Sequence, residues 1–127
     1  MIEVEYLDLE DIVGLVRILG VGPIRDVGLL DSALNRPRAS AFGDDAYRTF
    51  DLKAAALLQS LTKNHALLDG NKRLAWLSAV VFCDLNGFSP DLSDDEAFGL
   101  VWEVASSDVD VVVIANRLRL ISSQSSS

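Results

Sequence analysis

The stretch from Asn64 to Trp76, "NHALLDGNKRLAW", decides the fold. Upstream of it, in "FDLKAAALLQSLTKNH", Ala54, Leu57, Leu58, Leu61 and His65 recur at i, i+3, i+4 spacing, so a helix carries them on one face. "ALLDGN" breaks that period, and "KRLAWLSAVVFCDLNG" restarts a helix that is apolar nearly all round. A helix of that kind reads as the central, buried one, and Gly87 after Asn86 stops it. The joint contains a conflict between local rules. Lys72 and Arg73 stand together where the second helix begins, and a helix N-terminus disfavours cations unless an anion compensates them.

Working outward, "YLDLEDIVGLVRILG" predicts a first helix capped by Asp8, with Ile12, Leu15, Val16 and Leu19 on one face, ended by Gly20, Gly22 and Pro23. "DVGLLDSALNRP" predicts a short second helix with Leu29, Leu30, Ala33 and Leu34 inward, stopped before Pro37. "RASAFGDDAYR" has no clear period and reads as a loop or a small β-hairpin. Past the central pair, "SDDEAFGLVWEVAS" opens with Ser93 and Glu96 in a capping-box arrangement. In "SDVDVVVIANRLRLIS" the valines favour a strand, while length and the Arg117/Arg119 end favour a helix. Trp76 and Trp102 read as core aromatics. The expected architecture is all-α, a compact helical bundle with short connections.

The chain has 127 residues and reads as one domain over residues 1–121, followed by a Ser-rich, disordered tail at 122–127. No apolar run approaches a membrane span, and the acidic N-terminus lacks the apolar core of a signal peptide. A net charge of -8 argues against nucleic-acid or anionic-membrane binding, both of which rely on a basic surface. One cysteine, Cys83, rules out an internal disulfide framework and suits the cytoplasm; inside "AVVFCDL" it reads as a small buried hydrophobe.

The polar groups between His65 and Arg73 suggest chemistry when taken together. A neutral His65 imidazole could take a proton from a hydroxyl near neutral pH. Asp69 suits Mg²⁺, which binds through one or two carboxylates plus substrate phosphates. Gly70 allows close backbone approach, Asn71 is a good N-cap, and the amides after it form an anion-binding end. With Lys72 and Arg73 added, a nucleotide phosphate chain is the natural anion. Base, metal carboxylate and phosphate clamp then make a minimal phosphoryl- or nucleotidyl-transfer site. Taken singly, each has a plainer reading: His65 as a core or helix-end histidine, Asp69-Gly70-Asn71 as a turn, Lys72 and Arg73 as solvated side chains.

"HALLDGNKR" resembles the signature of the Fic/Doc family, specifically its death-on-curing (Doc) toxin branch. "RDVGLLDSALNRPRASAFG", "KAAALLQSLTKNH" and the later "LNG" are similar to that branch's segments, so the resemblance covers roughly Tyr6 to Ile121. It implies the Fic/Doc fold, with the motif loop between two central helices and a target-docking flap at 38–49. It implies His65 as general base, Asp69 holding Mg²⁺, and Gly70, Asn71, Lys72 and Arg73 serving the phosphates of ATP. AMP-transferring members usually have glycine at the position of Lys72 and often a second arginine at that of Trp76. In the Doc branch the nucleotide is reversed, so that the γ-phosphoryl group passes to a threonine of elongation factor Tu and translation halts. Ala66 stands where proline is common, and Leu67 where phenylalanine usually anchors the loop. No Ser/Thr-x-x-x-Glu-Gly/Asn inhibitory helix is present, so the resemblance implies inhibition in trans by a Phd-like antitoxin whose C-terminal segment docks on the chain. The alternatives are AMP transfer, or a degenerate member that only binds nucleotide or a partner.

Overall fold

Local capping chemistry sets where the first helices begin. In the computed structural model, which describes residues 3–123, α1 (Leu9–Leu19) starts at Asp8. The Asp11 amide donates to the Asp8 carboxylate at 2.8 Å, and the Asp8 amide donates to that of Asp11 at 3.0 Å. Gly20, in the left-handed region, closes α1, and Ile12 and Val16 face inward. Asp26 caps α2 (Val27–Asn35), which buries Leu30, Ala33 and Leu34 and runs into a 3-10 turn, Arg36–Arg38, that absorbs Pro37. The aperiodic stretch after it is a hairpin: β1 (Ser40–Ala41) pairs antiparallel with β2 (Asp44–Asp45) around Phe42 and Gly43, both at positive φ.

Helix α3 (Phe50–Asn64) and helix α4 (Asn71–Leu85) form the expected central pair, but their ranks are exchanged. The sequence pointed to α4 as the enclosed helix. Instead α3 touches α2, α4, α5, α6 and the 3-10 turn, and nine of its residues are buried. The small side chains of Ala54, Ala55 and Ala56 let neighbours approach from several directions. α4 leaves Lys72 and Arg73 exposed at its start and Asp84 and Leu85 at its end. Cys83 is fully buried there, and burial pushes its thiol up to about 12, so it is inert as a nucleophile at neutral pH.

The capping box at Ser93 and Glu96 starts α5 (Asp94–Ser106) as expected. The ambiguous stretch resolves into both alternatives. Val111–Leu118 is α6, packed on α3, and Leu120–Ser122 is β4, antiparallel to β3 (Phe88–Pro90). The expected tail boundary needs correction: Ser122 pairs with Phe88, and the Ser123 amide donates to the Gly87 carbonyl at 2.9 Å. Residues 124–127 lie outside the described residues.

The tryptophan expectation needs correction at Trp102, whereas Trp76 packs against the core. The aromatic cluster of the core is buried Phe82 with partly buried Tyr6, Phe50 and Phe88, with Phe50 and Phe82 centroids 4.8 Å apart. Trp76 is half-buried, and Trp102 is 55% exposed. Among the described residues, no helix is long and apolar enough to cross a membrane.

Candidate active site

Residues 65–70 leave α3 and enter α4 over a short, closely held path. His65 has φ 53 and ψ 46, the left-handed region, and its side chain is exposed. The periodicity placed His65 on the buried face above Leu61, but the backbone reverses hand at that residue and takes it off the helix. Ala66 and Leu67, each 2% exposed, anchor the loop in the core without the proline and phenylalanine that the resemblance led us to expect there.

The chain before α2 lies along the loop and satisfies its backbone. Arg25 and Asp26 amides donate to the Ala66 carbonyl at 2.7 and 3.1 Å, and Ile24 bridges Leu67. The Leu68 amide donates to Pro23, and the Gly22 amide to Asp69, both at 3.0 Å. Asn71 does not cap α4, contrary to expectation. It is the first helical residue, and its amide oxygen and nitrogen bind the Leu67 N–H and C=O at 3.0 and 2.9 Å, closing the loop on itself. The cap position falls to Gly70, at φ 94. A Cβ there would lie 2.5 Å from both Cβ and Cγ1 of Val21, so the missing side chain makes room for the neighbouring segment.

This geometry leaves the start of α4 open to an anion. No side chain caps it, and its first helical bond is Leu74 N–H to Gly70 C=O at 3.0 Å. The amides of Asn71, Lys72 and Arg73 therefore lack helical acceptors. Lys72 and Arg73 are both exposed. Lys72 extends toward α5, with its Nζ 5.3 Å from the centroid of the Trp102 ring, which stacks on Phe98. Asp69 is exposed, and its carboxylate has no hydrogen-bond or ion-pair partner among the described residues. No cluster of three metal-binding side chains occurs among those residues. A lone carboxylate beside an anion site fits Mg²⁺ that arrives with a nucleotide.

Several residues of the neighbourhood escaped sequence reading. An apolar groove of about 430 Å³ runs beside the site, lined by Leu19, Trp76, Leu77, Phe98, Val101 and Trp102 together with the charged Lys72, Arg73 and Asp94. The i, i+4 spacing of Phe98 and Trp102, off the Ala97/Leu100/Val101/Val104 face, was the available signal. The hairpin is tied to the early part of α3, where buried Lys53 meets Asp45 at 3.2 Å. Lys53 and His65 stand twelve residues apart in the sequence, so that tie is roughly 18 Å from the motif along the helix. A polar cavity of about 640 Å³ runs along α3, lined by Gln59, Ser60, Lys63 and Asn64 together with Arg36, Asp108 and Asp110.

The Fic/DOC family pattern matches residues 6–83, which span α1 to most of α4 and include the whole loop. The chain is also similar to a Mycolicibacterium smegmatis protein named Toxin Doc. The two are 49% identical over 118 residues, covering 90% of this chain and 91% of that protein.

Proposed function

The chain belongs to the Fic/DOC family, and from that premise we propose that it is a Doc-like toxin of a toxin–antitoxin pair. In this reading it transfers the γ-phosphoryl group of ATP to a threonine or serine hydroxyl of a protein, elongation factor Tu, and so inhibits translation in the cytoplasm. The supporting observation is the uncapped start of α4, carrying Lys72 and Arg73 across a short loop from an exposed histidine. The amides and the two cations bind the phosphates. His65 accepts the acceptor hydroxyl's proton as its oxygen bonds to the γ-phosphorus, and the bond to the bridging β–γ oxygen breaks to release ADP. Asp69 would hold the Mg²⁺ that accompanies ATP, an ion that neutralises phosphate charge.

One observation favours AMP transfer as a second reading. Lys72, where AMP-transferring members usually have glycine, holds its ammonium 5.3 Å from the centre of the Trp102 ring, toward α5 and away from the loop. The groove that shares Lys72 and Arg73 with the site suits the antitoxin: an apolar segment with an acidic side chain would fill it and cover both cations.

The reaction is tested by incubating the chain and elongation factor Tu with Mg²⁺ and either α- or γ-labelled ATP, with His65→Ala as control. Labelling from γ alone, lost in His65→Ala, is expected. Labelling from α selects AMP transfer, and no labelling from either overturns the enzyme assignment for this target.

A further inference from the structure

We propose that Arg25 is a positioning residue for His65, holding its backbone in the turn that keeps the imidazole out of the core and at the motif loop. The inference rests on the role of His65 as base proposed above. His65 is one of three non-glycine residues at positive φ among the described residues, and such a conformation persists where surrounding contacts over-determine it. Without it, one more residue of right-handed helix would lay His65 over Leu61, on the face that Ala54, Leu57 and Leu58 bury. Either hand is open to the chain, and the neighbouring segment selects between them.

The contacts that select it converge on adjacent peptide units. Arg25 donates from Nε and from one terminal guanidinium nitrogen to the His65 carbonyl, at 3.0 and 2.6 Å. That carbonyl's direction is set by the His65 ψ angle, so two donors on one oxygen fix the rotation that defines the turn. The Arg25 and Asp26 amides hold the next carbonyl, that of Ala66. On the other side, the Asn64 side-chain amide donates to the Leu29 carbonyl at 3.2 Å. Arg25 makes no ion pair among the described residues, so its charge acts on this carbonyl, at the negative end of the α3 dipole. The sequence gives no hint of the contact, because the partners lie on opposite sides of the hairpin.

The test uses full-length Arg25→Ala and Arg25→Lys chains. His65 is the chain's single histidine, so its ring and backbone NMR signals can be followed without assignment ambiguity. In Arg25→Ala the His65 backbone signals are expected to move toward those of a mixed turn. The kcat for phosphate transfer is expected to fall on the order of tenfold while the KM for ATP stays within about twofold. Guanidinium chloride at millimolar concentration should restore part of that kcat, and Arg25→Lys should lie between wild type and alanine. If Arg25→Ala melts too early to assay, the lysine variant carries the comparison. Unmoved His65 signals overturn the proposal, whatever happens to the rate, and so does a loss confined to KM. If the wild type itself transfers no phosphate, the functional reading fails, and the His65 signals still decide the role of Arg25.

Discussion

Gly70 shows how one residue can answer to a distant segment while looking local. Read in sequence, it belonged to a turn that brings backbone close to a ligand. In the structure the crowding comes from Val21, whose Cβ and Cγ1 lie 2.5 Å from where a Gly70 Cβ would stand. The positive φ of 94 adds a second, independent penalty for any side chain. Gly70→Ala should therefore destabilise the fold by about 2–4 kcal/mol, read as a lower urea midpoint at unchanged slope. Adding Val21→Ala should remove the Cγ1 contact but neither the Cβ contact nor the backbone strain, and recover only part of the loss. Full recovery would mean that φ carries no cost, and no loss in the single variant would mean that the loop shifts freely. The residue's identity was legible in the motif, whereas the cause of it required the fold.

At the scale of elements, the sequence was most readable where chemistry is local. Asp8 and Ser93 cap the helices they precede, as read, since a cap and its amides lie within a few residues; Asp26 and Asp110 do the same without having been read so, and Asn71 does not. Periodicity misled at His65, because a 3.6-residue pattern carries no information on where the backbone reverses hand. Strand β4 was missed for a different reason, since its partner β3 lies on the far side of α5 and α6 in sequence. Arg119, just before β4, binds the Glu96 carboxylate at 2.6 Å and joins the end of the chain to the start of α5. The Ser93 backbone hydrogen bond, and then Arg119, hold the Glu96 carboxyl below its ordinary value. A lowered folded-state pKa contributes stability above the unfolded value, and that stability is lost as the pH falls through the folded one. The urea midpoint of wild type should thus drop more between about pH 7 and about pH 3 than that of Glu96→Gln. Parallel acid limbs in the two proteins would show that Glu96 has no part in this dependence.

For the molecule as a whole, the legible half of the site was its charge and the hidden half its apolar surround. "HALLDGNKR" announced histidine, carboxylate and cations in one run, whereas the groove is assembled from α1, α4 and α5 and appears only when those helices pack. Phe98 and Trp102, 68% and 55% exposed, contribute little to the core of the isolated chain. Large exposed aromatics bordering a functional site mark a surface that another molecule covers. Their removal should therefore separate binding from folding. Trp102→Ala is expected to shift unfolding stability by no more than about 0.5 kcal/mol, the range of a surface substitution. The same change should weaken binding of the cognate antitoxin at least about tenfold by calorimetry, as truncating an interface aromatic does. Because Lys72 lies between Trp102 and the α4 start, antitoxin and ATP should also compete, with the antitoxin's apparent Kd rising as Mg·ATP is added. Simultaneous, independent binding would uncouple groove from site, and an unchanged Kd in Trp102→Ala would move the antitoxin elsewhere on the surface.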